Sequence, residues 1–131
     1  MVGDPVGDFI VRITNSGAVR KEFVSAPYSK LKDAIAETLV RTGYLAGSRV
    51  RGKKARKVLE CSLSYGADGT HRVGGVKRVS KPGRRVYVAA SDIHPVKFGR
   101  GTLVLSTPEG VLTGEEARAR NVGGEQLFII W

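Results

Sequence analysis

The sequence has few residues that support redox, metal or covalent chemistry: its 131 residues include one cysteine, two histidines and one tryptophan. A single cysteine cannot form a disulfide within the chain, and His71 and His94 lack the cysteine or histidine spacing of a zinc site. Cys61 alternates with Leu59 and Leu63, which predicts a reduced thiol in the core rather than a nucleophile. We therefore expect no metal, no cofactor and both histidines on the surface.

Long apolar segments are also missing. The longest apolar run is too short to cross a bilayer, and residues 1–9 lack the basic and apolar regions of a secretory signal. Glu115 and Glu116 are the only adjacent carboxylates, and the start of a helix explains them without catalysis. We predict a cytosolic protein that is not an enzyme. An enzyme is the weaker alternative, because it requires a pocket of polar groups, for example around Cys61 or His94.

Acidic residues are scarce relative to basic ones, and the imbalance is local. The chain carries 22 Lys or Arg and 12 Asp or Glu, a net charge of +10. Residues 49–100 hold fourteen of the basic and three of the acidic residues, so this segment alone has a net charge of +11. Such a concentration attracts polyanions and favours nucleic acid over the alternative of a merely solvated surface. An anionic membrane would call for an amphipathic basic helix, and the sequence contains none.

The first half of the chain reads as alternating helices and strands. Asp4 as N-cap and Pro5 as first helical residue begin a helix that Gly17 ends, and Ser29 caps a second helix that Gly43 ends. The predicted buried faces are Val6, Phe9, Ile10 and Ile13 on the first helix and Leu31, Ala34, Ile35, Thr38 and Leu39 on the second. A strand over residues 21–26 lies between them, and residues 44–51 and 57–65 form an antiparallel pair around a cationic turn.

The second half is mainly strands. Strands over 76–80 and 85–89 flank the turn Lys81-Pro82-Gly83-Arg84 and predict a basic hairpin, and a short helical turn follows from Ser91 up to Gly99. Thr113 is a candidate N-cap for a last helix to about Asn121, and residues 126–131 form a terminal strand. The fold class is therefore α/β (α+β), with two small packed subdomains over 1–66 and 67–131.

Small polar groups gather between apolar runs near the end of the chain. Residues 103–105 and 111–113 read as strands, which leaves Ser106 and Thr107 at a strand end beside Gly110. A hydroxyl there either caps the turn or offers a donor and an acceptor to a ligand. Tyr87 is equally consistent with a half-buried strand aromatic and with a stacking platform for a base.

These residues also carry a resemblance to a known family. The segment S-T-P-E-G-V-L-T, followed by Glu116-Ala117-Arg118 and Gly123-Gly124-Glu125, resembles the signature of bacterial small-subunit ribosomal protein eight. Further blocks occur in the family order and span nearly the whole chain: Asp4-Pro5 with Asp8, Arg12, Ile13 and Asn15, then Ser29-Lys30-Leu31-Lys32, then Arg78-Val79-Ser80, Pro82-Gly83 and Arg85-Val86-Tyr87.

The resemblance implies a primary binder of small-subunit rRNA that has two α/β subdomains, grips an irregular helix of the central domain and supports subunit assembly. The resemblance places Ser106, Thr107, Tyr87, Gly124 and Glu125 at the RNA, with Lys30, Asp4 and Pro5 in the N-terminal part. We further expect Gly110, Arg85 and Arg12 to contribute to the RNA contact. Gly124 has the alternative role of making a turn with Gly123. The resemblance suggests ribosomal proteins five and twelve as neighbours.

Two positions depart from the family pattern. Pro108 stands where a further serine is common, which removes a hydroxyl and a backbone donor, and Thr14 stands where a second arginine is common. We expect altered contacts with the same function. The alternative function is a free RNA-binding translational regulator or assembly chaperone, including repression of its own messenger, since members of the family do this by mimicking the rRNA site.

Overall fold

In the computed structural model, which describes residues 3–96 and 100–131, the chain divides into two compact units. One unit is Asp8–Gly74, and the other combines the residues up to Gly7 with Gly75–Trp131. The elements in chain order are α1 Pro5–Ala18, β1 Phe23–Pro27, α2 Lys30–Arg41, β2 Leu45–Arg51, β3 Val58–Leu63, β4 Val76–Arg78, β5 Tyr87–Val88, β6 Thr102–Thr107, β7 Gly110–Thr113, α3 Gly114–Ala119 and β8 Gly124–Ile130. The predicted α+β class with antiparallel sheets is confirmed. The predicted boundary after residue 66 stays a prediction.

The first unit is a three-stranded antiparallel sheet in the order β1-β3-β2. Alternation along β3 turns Leu59, Cys61 and Leu63 to the buried side, where α2 packs on β2 and β3. Burial raises the pKa of the Cys61 thiol to about 12, so the thiol is neutral at physiological pH. The prediction of a core thiol is confirmed.

The helix starts follow the predicted capping chemistry. Gly7 N donates to Asp4 Oδ1 at 3.1 Å, and Lys32 N donates to Ser29 Oγ at 3.1 Å. The buried face of α1 is the predicted one: Val6, Phe9, Ile10 and Ile13. The predicted face of α2 is partly wrong. Its buried residues are Lys32, Ile35, Ala36, Thr38 and Leu39, whereas Leu31 is 39% exposed.

The second unit is a five-stranded antiparallel sheet around β8, which pairs with β4, β5 and β6, while β7 pairs with β6. Its core cluster is Ile93, Leu103, Leu105, Leu112 and Ala117. The short α3 begins with a complete capping box, in which Glu116 N donates to Thr113 Oγ1 and Thr113 N donates to Glu116 Oε1. Thr113 is therefore the N-cap of α3, as predicted.

The predicted hairpin of strands 76–80 and 85–89 is wrong in its pairing. The turn exists, because Lys81 N and Arg84 N each donate to the other residue's carbonyl at 2.9 Å. However, β4 and β5 are shorter than predicted, and both pair with β8 rather than with each other. β8 offers one edge long enough for both strands in succession, and a local turn signal cannot reveal this.

Two smaller corrections concern the connecting segments. His71 is half-buried rather than on the surface: its ring lies against Gly17 and 5.4 Å from the Tyr65 ring. Its Nε2 is buried and is the one such polar atom among the described residues without a hydrogen-bond partner, and burial lowers the pKa of His71. The predicted helical turn after residue 90 is a single 3-10 turn over Ala90–Asp92, and part of its predicted length, residues 97–99, lies outside the described residues.

Candidate nucleic-acid interface

Three predicted site residues from three strands form one row across the second sheet. Glu125 on β8 is the pairing partner of Tyr87 on β5 and of Ser106 on β6. Directly paired residues of antiparallel strands project from the same face of the sheet, at Cα separations of about 4.5 to 5.5 Å. The row therefore offers a carboxylate between a phenol ring and a hydroxyl. We call Tyr87, Glu125 and Ser106 the tyrosine-glutamate-serine row.

A fourth predicted residue joins the row through an ion pair. Arg85 Nη1 lies 3.2 Å from Glu125 Oε2, with the Arg85 side chain 56% exposed and the Glu125 side chain 14% exposed. A partly buried carboxylate that accepts from a guanidinium fixes the direction of the longer side chain. Arg85 uses few of its five N–H donors in this contact, so the others face solvent in a defined orientation.

Tyr87 presents its ring to solvent. The residue is 69% exposed, the most exposed of the large hydrophobic residues among the described residues. The alternative of a half-buried strand aromatic is therefore incorrect, since an aromatic ring this exposed on a sheet contributes little to the core. An open ring beside an arginine is the arrangement that single-stranded or unpaired bases use for stacking.

The hydroxyls of Ser106 and Thr107 have different environments. Thr107 Oγ1 donates to Gly110 O at 2.7 Å and accepts from Glu109 N at 3.1 Å, so it caps the turn between β6 and β7. Half-buried Ser106 forms no side-chain hydrogen bond within the described residues. Of the two alternatives that the sequence left open, turn capping describes Thr107, and a hydroxyl available to a ligand describes Ser106.

The two predicted glycines shape the backbone around these hydroxyls. Gly110 has φ +109, a conformation that residues with a Cβ rarely adopt, although a Cβ there would meet nothing within 4 Å. At Gly124 the constraint is space rather than backbone angle, because a Cβ at this position would overlap the Ser106 carbonyl and approach Thr107 Cα to 3.1 Å. Gly124 thus permits β6 and β8 to meet closely beside the row.

Ser80 supports the site, although it was not among the predicted site residues. It is 1% exposed, and its Oγ both accepts from Val86 N at 2.8 Å and donates to Val86 O at 3.2 Å. Ser80 N in turn donates to Gln126 O at 3.0 Å. Ser80 therefore fixes the chain between the basic turn and β5, from which Arg85 and Tyr87 project. A small hydroxyl residue directly before a turn is the signal that indicates such a role.

Asp4 is committed to contacts within the protein. Its carboxylate accepts from Arg78 Nη2 at 2.7 Å and from Arg78 Nε at 3.2 Å, in addition to the cap on Gly7. The Arg78 hydrogen bond, opposed by burial, holds the pKa of Asp4 below its ordinary value. Pro5 is exposed at the first position of α1. Asp4 and Pro5 belong to the second unit, whereas Arg12 and Lys30 belong to the first.

Arg12 and Lys30 are exposed cations, and Lys32 is a buried one. Arg12 Nη1 donates to Ser25 O at 3.1 Å. Lys30 begins α2, where a positive charge opposes the helix dipole. Burial lowers the pKa of Lys32, and the positive charge of Arg12 lowers it further. Lys32 shares one helix face with Ile35, Ala36 and Leu39, and this spacing along the apolar face is the sequence signal of its burial.

Metal-binding clusters and membrane-spanning helices are absent from the described residues. Among residues 3–96 and 100–131, no three His, Cys, Asp or Glu side chains lie close enough together to hold a metal ion. In the same residues, no helix combines the length and the apolar character that a membrane span requires.

Comparison with known proteins identifies the family. The model of the family described as Ribosomal protein S8 matches residues 4–131. The chain belongs to this family. Small ribosomal subunit protein uS8 of Rubrobacter xylanophilus is 42% identical over 130 residues, which are 99% of this chain and 98% of the relative. The uS8 proteins of Levilactobacillus brevis and Nocardia farcinica are each 41% identical over 128 residues, 98% of this chain and 97% of each relative. The family that the sequence resembles is confirmed along nearly the whole chain.

Proposed function

We propose that this S8 family member is a structural constituent of the small ribosomal subunit, which binds the central domain of 16S rRNA and supports subunit assembly in the cytoplasm. The observation that carries the proposal is the tyrosine-glutamate-serine row together with Arg85, the ion-pair partner of Glu125. They present an exposed ring, an oriented guanidinium and a hydroxyl that has no hydrogen-bond partner among the described residues. The relatives named as small-subunit proteins supply the ribosomal context. The protein acts by binding and not by catalysis.

The row suits an irregular RNA helix better than a regular duplex. A-form RNA hides its base edges in a deep groove and exposes 2′-hydroxyls in a shallow one, so proteins read unpaired bases and sugars. Tyr87 stacks on an unpaired base, Ser106 bonds a 2′-hydroxyl or base edge, and Arg85 holds a phosphate. Glu125 repels phosphate but accepts from a base amino group, which excludes a purely backbone contact at this point.

The remaining predicted residues divide between framework and backbone contacts. Thr107, Gly110 and Gly124 shape the loop that presents Ser106, and Asp4 fixes the start of α1 through Arg78. Pro5, Arg12 and Lys30 are exposed and provide the N-terminal part of the RNA contact.

The two departures from the family pattern are Pro108 and Thr14. Pro108 lies at the exposed tip of the turn between β6 and β7. Thr14 forms a hydrogen bond within its own helix, where Thr14 Oγ1 donates to Ile10 O at 2.8 Å. Neither of these two residues belongs to the row. Ribosomal proteins five and twelve are the proposed protein neighbours.

The direct test is binding to a central-domain rRNA fragment and to an unrelated RNA duplex of equal length, at physiological salt. Tyr87→Ala should weaken binding to the rRNA fragment by about 1 to 3 kcal/mol through lost stacking. Ser106→Ala should weaken it by about 1 kcal/mol through one lost hydrogen bond. The matched control is Ser91→Ala, since Ser91 is an exposed serine outside the row. Equal affinity of the wild type for both RNAs would overturn the proposal.

Two variants of Thr107 distinguish a direct RNA contact from a role in capping the turn. Thr107→Ser keeps the hydroxyl that bonds Gly110 and Glu109, whereas Thr107→Ala removes it. If Thr107 acts through the turn, only the alanine variant weakens rRNA binding, and it also lowers the free energy of unfolding by about 1 kcal/mol. Loss of rRNA binding in Thr107→Ala at unchanged stability would instead indicate a direct contact by this hydroxyl.

The alternative function is a free RNA-binding translational regulator or assembly chaperone, including repression of its own messenger. The same basic surface would serve it. Cosedimentation with mature small subunits distinguishes the two: a constituent stays bound during a high-salt wash, whereas a transient factor is released.

A further inference from the structure

A second cationic surface lies in the first unit, at the junction of β2 and β3. Residues 49–60 contain six basic side chains and one acidic side chain, Glu60. We call the six residues Arg49, Arg51, Lys53, Lys54, Arg56 and Lys57 the cationic edge. None of them belongs to the tyrosine-glutamate-serine row, which is in the other unit.

Glu60 organises the two arginines of this edge. Arg49 Nη2 lies 2.8 Å from Glu60 Oε1, and Arg51 Nη1 lies 2.7 Å from Glu60 Oε2. The Arg51 and Arg49 hydrogen bonds lower the pKa of Glu60, which therefore remains ionised at physiological pH. The arginine side chains are 66% and 59% exposed, and one carboxylate neutralises only one of the two charges. Both guanidiniums are thus directed to one side of β2 with donors left for a ligand.

The turn that follows is folded rather than loose. Gly52 has φ +89, and a Cβ there would lie 2.5 Å from Arg56 O. Arg56 N donates to Lys53 O at 3.1 Å, and Tyr28 N donates to Lys57 O at 3.2 Å. Lys57 Nζ also lies 5.4 Å from the centroid of the Tyr28 ring. These contacts hold the backbone of the turn and the Lys57 side chain in place.

Among residues 3–96 and 100–131, no acidic side chain pairs with the cations at the tip of the turn. Lys53, Lys54 and Arg56 are exposed, and no described residue forms an ion pair with them. Lys54 also adopts φ +53, which is uncommon for a residue with a side chain. Like charges without a partner and an unfavourable backbone angle both lower the stability of this turn. Such destabilising features are concentrated at functional sites of proteins.

We propose that the cationic edge binds phosphates of the RNA backbone without regard to sequence, as a second contact separate from the tyrosine-glutamate-serine row. A polyanion gains affinity from several unneutralised cations through the release of its counterions. A protein partner fits less well, because interface cores are depleted of lysine and enriched in aromatic residues, and residues 49–57 contain three lysines and no aromatic residue. The contact is independent of whether the proposed rRNA site is correct.

The test measures the salt dependence of binding to an RNA duplex of unrelated sequence. Lys53→Gln, Lys54→Gln and Arg56→Gln are combined in one variant. Each phosphate contact contributes about 0.9 to the slope of log K against log salt, so the variant should have a slope shallower by about 2 to 3. The charge-matched control combines Lys21→Gln, Lys77→Gln and Arg118→Gln, three exposed cations outside both surfaces. Its slope should stay close to that of the wild type.

The outcomes distinguish RNA binding by the cationic edge from an effect of overall charge and from binding at the proposed rRNA site. An equal change of slope in both triple variants, or none in either, would overturn the proposal. Lys54→Gly is a variant that should fold normally, because glycine adopts φ +53 without strain. It removes one charge, so the slope of log K against log salt should become shallower by about 1. The slope on the unrelated duplex does not depend on the preference of the wild type for the rRNA fragment, so failure of the rRNA proposal and failure of this one give different results.

Discussion

At the scale of single residues, Asp4 combines a helix cap with an ion pair. Asp4→Asn keeps an effective N-cap but removes the charge that partners Arg78, whose side chain is only 15% exposed. We expect a loss of about 1 to 2 kcal/mol in the free energy of unfolding at pH 7, because a charged hydrogen-bonded partner is lost. Urea denaturation measures it. Asp92→Asn, at an exposed carboxylate of the 3-10 turn, should change stability by less than about 0.5 kcal/mol.

The same carboxylate gives a pH dependence with a definite sign. The folded-state pKa of Asp4 is depressed, so its contribution is complete above the unfolded value of about 3.9 and is lost as pH falls through the folded pKa. The difference between wild type and Asp4→Asn should therefore be constant at neutral pH and shrink in acid. A difference that persists unchanged well below pH 3 would contradict a charge-based role.

Cys61 provides a second test at this scale. The thiol is 0% exposed and burial raises its pKa to about 12, so neither access nor thiolate is available in the folded state. Iodoacetamide should label the native protein slowly and the urea-unfolded protein rapidly, with labelling that follows the unfolding transition. Rapid labelling at native conditions would contradict a buried, protonated thiol and indicate a reactive one.

At the scale of elements, the close pairing of β6 and β8 depends on Gly124. Gly124→Ala introduces a Cβ that overlaps the Ser106 carbonyl, so the two strands must separate where the tyrosine-glutamate-serine row crosses them. We expect a loss of about 1 to 3 kcal/mol in stability, as for other overpacked sites, together with weaker rRNA binding. Gly83→Ala is the control, since a Cβ there meets nothing within 4 Å. Thermal unfolding of both variants decides the comparison, and equal melting temperatures would contradict it.

Elements with local signals were predictable, and their partners were less so. Asp4, Ser29 and Thr113 cap helices through contacts within three residues, which the sequence displays directly. The alternation of Leu59, Cys61 and Leu63 likewise reveals a strand with one buried face. The pairing of β4 and β5 with β8 brings together residues that are distant along the chain, so the turn beside them predicted the wrong partner.

The candidate site follows the same division. Family motifs named Ser106, Tyr87 and Glu125, but only the strand register brings them into one row. Whether a hydroxyl caps a turn or stays available depends on atoms a few ångströms away, and this separates Thr107 from Ser106. Ser80 makes both of its side-chain hydrogen bonds to Val86, six residues further along the chain. Its position before a turn indicates a structural role, but only the fold identifies Val86 as the partner.

At the scale of the whole molecule, the excess positive charge of residues 49–100 falls on both units. The cationic edge belongs to the first unit, whereas Arg85 and the basic turn Lys81–Arg84 belong to the second. One surface carries charges suited to any phosphate backbone, and the other adds the ring, carboxylate and hydroxyl that we propose to contact bases. We therefore expect long-range attraction and site-specific affinity to be separable properties of this protein.

The combined variant tests that separation. Ser106→Ala and the triple substitution at Lys53, Lys54 and Arg56 alter side chains with no described partner in common, so their losses of binding free energy to the rRNA fragment should add within about 0.5 kcal/mol. A double-mutant cycle measures this by comparing the combined variant with its two parents at one salt concentration. Additivity means that each surface contributes while the other is impaired. A combined loss much smaller than the sum would mean that the rRNA fragment engages the row only when the cationic edge holds its backbone.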